Sequence, residues 1–323
     1  MVNVICPVCG AKMELPKCRY CGNNVELRNG VWQLTDMQDI VVADGEDKYV
    51  GYEHIGEGYS GGRKYMVEDR DRAFAEVVSR LTGGGIFLDL ACGDGCFTVP
   101  CAAMGTKIIA GDISNAMLSI LQKKAEMNNV SLDNVTLCRM NAYAVPLADE
   151  SVDTVVANSV LHLVSNPEKV VREIYRVLKP GGLFICKDDR PGQTKASAYD
   201  NSLYMEIVNG LYQAYWDVLR AKGIQPVKYS WRFDRIEVCG KLFTDVREEV
   251  VAHGNKVEMS LRDGFLPRFL ARGFFDQVDV SQDVHDEVTT QLLKQVKARY
   301  GDNFADVPYI GDEGDIVVTS YVK

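Results

Sequence analysis

No stretch of this 323-residue sequence approaches the roughly 18 to 20 consecutive apolar residues that a membrane-spanning helix needs. The opening MVNVICPVCG lacks the basic segment and following apolar segment of a secretory signal, so export is not expected. An excess of positive charge is missing too. Net charge is −9 and the isoelectric point lies near 5.1, which argues against a broad nucleic-acid surface, because such surfaces are usually basic. What remains, 46% apolar and 25% charged residues, is ordinary for a globular protein. The length suits one large domain with a small appendage, or two modest domains.

Cysteine is present but unevenly spread. Of ten, four fall within the first 21 residues. The others (Cys92, Cys96, Cys101, Cys138, Cys186 and Cys239) stand mostly in apolar contexts and are expected to act as small buried hydrophobes in a reducing cytoplasm. The first four form two C-x-x-C-G turns, Cys6-Pro7-Val8-Cys9-Gly10 and Cys18-Arg19-Tyr20-Cys21-Gly22, separated by eight residues. Each turn aims two sulfurs at one point, and the following glycine lets backbone N–H groups face them. Four thiolates at this spacing suit a closed tetrahedral zinc site, with an iron site or a labile disulfide pair as the alternatives. Four cysteine ligands leave no open position for water, so the metal is expected to be structural. The segment is too short for a core of its own and resembles a small zinc ribbon, whose folding energy comes largely from the metal.

Beyond it, helix-spaced and strand-like segments alternate. Apolar residues of 66–81 recur at helical spacing and stop at Gly83-Gly84-Gly85. Strands are expected at 86–90, 107–111, 135–140, 153–158 and 183–187. Between them, Ser114 caps a helix to about Met127, and Asn166-Pro167 opens another that Lys179-Pro180-Gly181-Gly182 stops. Near-continuous apolar strands alternating with helices predict a doubly wound, mostly parallel α/β sheet covered on both faces. Its ligand should bind beyond the carboxyl ends of the strands, where strand order reverses. Later segments read as helices at 202–219, 261–271 and 284–300, and as strands at 274–280 and 315–322, with 31–34 an early short strand.

The segment FLDLACGDG, residues 87–95, runs from the first of those core strands into a turn. It is not a dinucleotide fingerprint: two of the three required glycine positions hold Ala91 and Cys96. Nor is there a P-loop Lys-Ser/Thr. Asp89 stands just before the turn, and Asp112 follows 23 residues on, at the next strand end, where an acid typically takes ribose hydroxyls. An acid in the first turn would repel a pyrophosphate. It suits a ligand with an amino group and a positive sulfur, as S-adenosylmethionine has.

With these residues in view, LDLACGDG resembles motif I of the class I S-adenosylmethionine-dependent methyltransferases. IIAGDIS resembles the second motif, and NAYAVPLADESVDTVVANSVLHLVSNPEKVVREIYRVLKPGGLFI resembles the following ones. The likeness covers about 86–187 and implies a Rossmann-like cofactor domain. By position it implies that Asp89, Ala91 and Gly93 line the methionine moiety, that Asp112 holds the ribose and that Ile113 packs on adenine. Asn141 and Ala142 would meet the adenine edge, and Asn158 and Ser159 would border the methionine end of the cofactor and the entrance to the acceptor pocket. Ala91 stands where the family often has glycine, which is tolerable if its φ is negative. Asn141 stands where an acid is common, and its amide oxygen can still take the adenine amino group. His162, after the fourth core strand, is the candidate base if the acceptor must lose a proton, with His54 and Tyr59 behind it. Tyr59, Arg63 and Tyr65, in GEGYSGGRKY, would cover a ligand if that loop closes.

The resulting organisation is a zinc-ribbon-like module (1–30), a linker and helical cap (31–85), the cofactor core (86–190), a helical substrate-covering insertion with accessory elements (191–310) and a final core strand (311–323). The first functional reading is a cytoplasmic methyltransferase acting on a small molecule, with no membrane partner. The second is an RNA-base methyltransferase docking through its zinc module, an organisation resembling the large-subunit rRNA guanine-N1 enzymes. The third is a non-catalytic binding protein that keeps the fold.

Overall fold

A computed structural model describes residues 4–35, 65–158, 160–161, 163–189, 199–226, 235–253, 256–277, 280–312 and 315–323. In chain order its strands are β1 (Val4–Ile5), β2 (Lys12–Met13), β3 (Leu27–Arg28), β4 (Val31–Gln33), β5 (Ile86–Leu90), β6 (Lys107–Asp112), β7 (Val135–Arg139), β8 (Val152–Val156), β9 (Leu178–Asp189), β10 (Asp245–Ala252), β11 (Lys256–Ser260), β12 (Pro308–Asp312) and β13 (Ile316–Val322). The α-helices are α1 (Asp69–Thr82), α2 (Thr98–Ala103), α3 (Asn115–Met127), α4 (Pro167–Val177), α5 (Ser202–Ala221), α6 (Arg235–Gly240), α7 (Phe265–Leu270) and α8 (Gln282–Tyr300).

Nine strands form one sheet in the order β10-β13-β9-β8-β5-β6-β7-β4-β3. β4 through β9 run parallel along it, while β13 is antiparallel to β9 and β10 to β13. From β5 the chain winds outward through β6 and β7, then returns to place β8 on the other side of β5. The reversal therefore falls at β5, and a crevice opens at its carboxyl end.

Strand alternation sorts the side chains into two layers. Leu88, Leu90, Val155 and Phe184 face one way, against Val170 and Ile174 of α4. Phe87, Val156 and Ile185 face the other, against Phe74 and Val78 of α1 and Leu118 and Leu121 of α3. The helices start and stop for local reasons. Ser114 accepts the Met117 N–H at the head of α3, and Asn166 accepts the Lys169 N–H at the head of α4, with Pro167 in the first turn. α4 ends at Val177, and β9 begins at once with Leu178 paired to Val152, so the Lys-Pro-Gly-Gly run lies within a strand.

A third apolar cluster joins α5, α7 and α8 through Leu211, Tyr215, Phe269, Val288 and Leu292. Buried His285 is part of it. Its Nε2 lies 3.1 Å from the Leu270 carbonyl, which can only accept, so Nε2 carries the proton and Nδ1 accepts from the Tyr215 hydroxyl at 2.8 Å. Burial lowers its pKa and keeps the ring neutral. Where a strand is expected over 274–280, the described residues form none, and Phe275–Gln277 is a 3-10 turn. Gln277, wholly buried, accepts the Phe274 N–H and reaches the Phe269 carbonyl, which closes the backbone into a turn.

Candidate functional site

At the carboxyl end of β5, the described residues line a cleft whose empty space, counted out into open solvent, is about 970 Å³. Asp89, Ala91, Gly93, Asp112, Ile113, Asn141, Ala142 and Asn158 all line it. Ser159 and His162 lie outside the described residues, as do His54, Tyr59 and Arg63. Tyr65 does not line the cleft. Its ring lies under Lys123 Nζ, at 4.9 Å, and its carbonyl accepts from Asn128, both toward the far end of α3.

The turn after β5 is tightly tied. The Cys92 N–H donates to the Gly111 carbonyl (3.0 Å), and the Gly93 N–H donates to Asp112 Oδ2 (2.8 Å). The Ser114 N–H donates to the other Asp112 oxygen (2.9 Å). Asp112 is thus aimed by two backbone donors across the gap between β5 and β6. Ala91 has φ +60°, so the condition for an unstrained methyl at this position is not met. The turn needs the left-handed conformation, which costs an L-residue about 1–2 kcal/mol. Gly95 has no such latitude: a Cβ there would come within 2.5 Å of Leu121 Cγ. The close approach of turn to α3 is built on that missing atom.

Asp89 is 1% exposed and accepts the Thr98 hydroxyl at 2.6 Å. Burial pushes its pKa up to about 7; the Thr98 hydrogen bond opposes the rise, and Asp112 and Asp94 add to it. Asp94, in the same turn, pairs with Lys124 of α3 at 2.9 Å, and the lysine side chain is 2% exposed. Sequence inspection missed this pair. An Asp and a lysine 30 residues apart, with α2 and β6 between them, carry no motif, and Lys124 reads as a solvated charge until α3 is packed on the turn. Cys92 and Cys96 also reach the cleft, and burial raises both thiols well above their ordinary range, so neither is an activated nucleophile.

The opposite wall follows β7. Asn141 Oδ1 accepts the Tyr143 N–H at 2.9 Å, leaving one lone pair toward the cleft. Arg139, itself buried, donates Nε to the Ile113 carbonyl at 2.9 Å and fixes the Ile113 backbone. Apolar Val160, Leu163 and Val164 close the side beyond β8.

The four N-terminal cysteines form a second centre. Their sulfurs all lie within 4.8 Å of one another, with Cys6–Cys21 at 3.6 Å and Cys9–Cys18 at 3.7 Å. A tetrahedron with Zn–S of ~2.3 Å has sulfurs about 3.8 Å apart, close to the two short pairs, so the donor set fits zinc. The two turns are alike: Gly10 N–H closes on the Cys6 carbonyl and Gly22 N–H on the Cys18 carbonyl. Burial pushes the Cys6 thiol up, but N–H groups of Cys9 and Val8, with the adjacent thiols, outweigh it and bring it down to about 6. Cys21 accepts the Asn23 N–H, yet burial and the three other sulfurs raise it to about 12. Four thiolates this close repel, and a divalent cation at their centre offsets that repulsion.

Residues 88–186 match the family described as "Methyltransferase domain". The chain is 38% identical over 106 residues to the demethylmenaquinone methyltransferase of Symbiobacterium thermophilum, covering 32% of this chain and 42% of that protein. It is 34% identical over 108 residues to the ubiquinone/menaquinone biosynthesis C-methyltransferase UbiE of Pectobacterium carotovorum, covering 32% and 43%. The chain therefore spans less than half the length of these relatives. The crystal structure of the YcgJ protein of Bacillus subtilis superposes with a TM-score of 0.44 at 15% identity, covering 79% of this chain and 98% of that one. Over 88–186 the chain is thus similar to methyltransferase domains, and the strands of that segment lie in a doubly wound, mostly parallel sheet.

Proposed function

We propose that this protein transfers the methyl group of S-adenosylmethionine to a small molecule. One observation carries the reading: two carboxylates, Asp89 and Asp112, stand at the tips of adjacent strands on either side of a turn that presents backbone rather than bulk. A cation with a ribose is the ligand such a site favours over a dinucleotide. Asp89 and the backbone of Ala91 and Gly93 would face the methionine end, where a negative Asp89 stabilises the ammonium and sulfonium charges. Asp112 would take the ribose hydroxyls, Ile113 the adenine face, and Asn141 and Ala142 the adenine edge. Asn158 and Ser159 would border the acceptor.

The bound cofactor supplies a methyl group already activated on a positive sulfur. The protein's work is then alignment and exclusion of water. Val160, Leu163 and Val164 supply the dry side of the cleft. This apolar flank supports an uncharged, ring-bearing acceptor, in keeping with the quinone-pathway names of the two relatives. His162 is proposed as base only for an acceptor that must lose a proton. The net charge of −9 speaks against the RNA reading.

The N-terminal cysteines are proposed to hold zinc in a closed, non-catalytic site. The unit of 1–30 would then be a zinc-ribbon-like module, and 191–310 the acceptor-covering insertion. The protein would work in the cytoplasm. The test is incubation of the zinc-loaded protein with methyl-labelled cofactor and separated RNA, protein and small-molecule fractions of a cell extract. Label should enter the small-molecule fraction; label in RNA alone would replace this reading with the second one.

A further inference from the structure

We propose that the cysteine knot is a positioning element of the cofactor cleft, so that metal occupancy and cofactor affinity are coupled through residues 140–147. The proposal rests on the cofactor and metal readings above.

The wall of the cleft at Met140–Tyr143 continues into Val145, Pro146 and Leu147. That continuation is held by the knot. The Ile5 N–H, one residue from a metal-ligating cysteine, donates to the Pro146 carbonyl at 3.0 Å. Val4 forms an antiparallel bridge with Leu147. Buried Val4, Cys6, Cys18 and Val25 belong to the same apolar cluster as Met140, Tyr143, Val145 and Leu147, so two of the ligands are part of the core that backs the wall. From the other side α4 grips the same segment. Glu173 accepts the Val145 N–H at 2.8 Å, and Arg176 donates to the Val145 and Leu147 carbonyls at 2.7 and 2.8 Å. The segment is clamped between a helix and the knot.

The two sides of the clamp differ in independence. Both share the main apolar cluster, but α4 is a capped helix of 11 residues. Among the described residues the knot around its cysteines has the two-residue strands β1 and β2, and a unit with so little regular structure is ordered chiefly by its metal. Releasing the metal frees Val4 and Ile5, and with them one side of the wall. The Asn141–Tyr143 turn, which faces the ligand, then has more conformations to lose on binding. A ligand that orders the wall must in turn favour the ordered knot, by the same factor.

The experiment measures both directions on the full chain. S-adenosylhomocysteine is titrated calorimetrically into zinc-loaded protein and into protein stripped by a chelator, at a temperature where circular dichroism shows the stripped form still folded. Zinc affinity is measured by chelator competition with and without saturating S-adenosylhomocysteine. Stripping should weaken the nucleoside by roughly tenfold, and the nucleoside should tighten zinc by the same factor. A purely structural knot would alter stability and leave both affinities alone. Zinc-loaded Val4→Ala, which trims the side chain beside Leu147 but keeps every ligand, is the second arm. It should weaken the nucleoside by roughly fivefold. Two ligands that bind independently, together with an unchanged affinity in Val4→Ala, would overturn the coupling. Failure of zinc-loaded protein to bind the nucleoside would remove the cofactor reading, and failure to take up zinc would remove the metal reading. Either takes the coupling with it, by a visibly different result.

Discussion

Replacing Lys124 by methionine keeps much of the side-chain volume and deletes one charge from a buried pair. Lys124 Nζ lies 2.9 Å from Asp94 Oδ2, with the two side chains 2% and 12% exposed. Deleting one partner leaves the Asp94 carboxylate without its counter-ion in a poorly solvated place, which costs about 3–5 kcal/mol. Total stabilities of about 5–15 kcal/mol make that a large share. Turning the cleft loop outward would relieve the carboxylate and disturb the cofactor turn, so affinity for S-adenosylhomocysteine should fall as well. The double variant Lys124→Met/Asp94→Asn removes both charges and should recover most of the loss, because neutral packing often replaces a buried pair at little net cost. Urea denaturation of wild type, both single variants and the double variant completes the cycle. A Lys124→Met protein within about 0.5 kcal/mol of wild type, or a double variant no better than the single, would refute the argument.

Asp89 gives a pH test with two opposite signs. Its pKa is raised to about 7 in the folded protein. Its contribution to stability is therefore fully present below the ordinary carboxylate range and is lost as pH rises through about 7. A cationic cofactor needs the ionised form, so its affinity should rise over the same window and level off above it. Melting curves with and without S-adenosylmethionine at pH 6 and pH 8 read both trends, and Asp89→Asn should flatten them. Ala91→Gly should relieve the left-handed strain. After the extra freedom of glycine in the unfolded chain is subtracted, up to about 1 kcal/mol of stabilisation remains. A melting temperature that fell instead would mean that the packing of the Ala91 methyl outweighs its backbone strain.

The sheet's centre was legible because its strands are buried on both faces and read as near-continuous apolar runs, as in β5, β6 and β8. The turn after β5 was legible for a different reason: glycine and aspartate following an apolar run mark a tight turn, and LDLACGDG resembles a known motif. The edge strand β10 was not foreseen. Its sequence, DVREEVVA, is exposed over its first six residues, so no period of two marks it. Among the described residues β11 and β12 pair only with each other, across the intervening α7 and α8, and neither carries a long apolar signature. The run FFDQVDV misled because its apolar spacing resembles a strand. What decides its shape is Gln277, whose buried amide satisfies a turn. Ala91 shows the same limit at the site: the motif gave the place of the turn, and only the backbone gave its handedness.

The whole account stands on a carboxylate at the tip of β6 receiving the ribose of a methyl donor. Calorimetric titration of S-adenosylhomocysteine into the zinc-loaded protein and into its Asp112→Ala variant addresses that directly. The protein should bind one equivalent, and the variant should lose the roughly 1.5–3 kcal/mol that hydrogen bonds to a charged group supply, about tenfold or more in affinity. No binding by the wild-type protein, or equal binding by the variant, would contradict it.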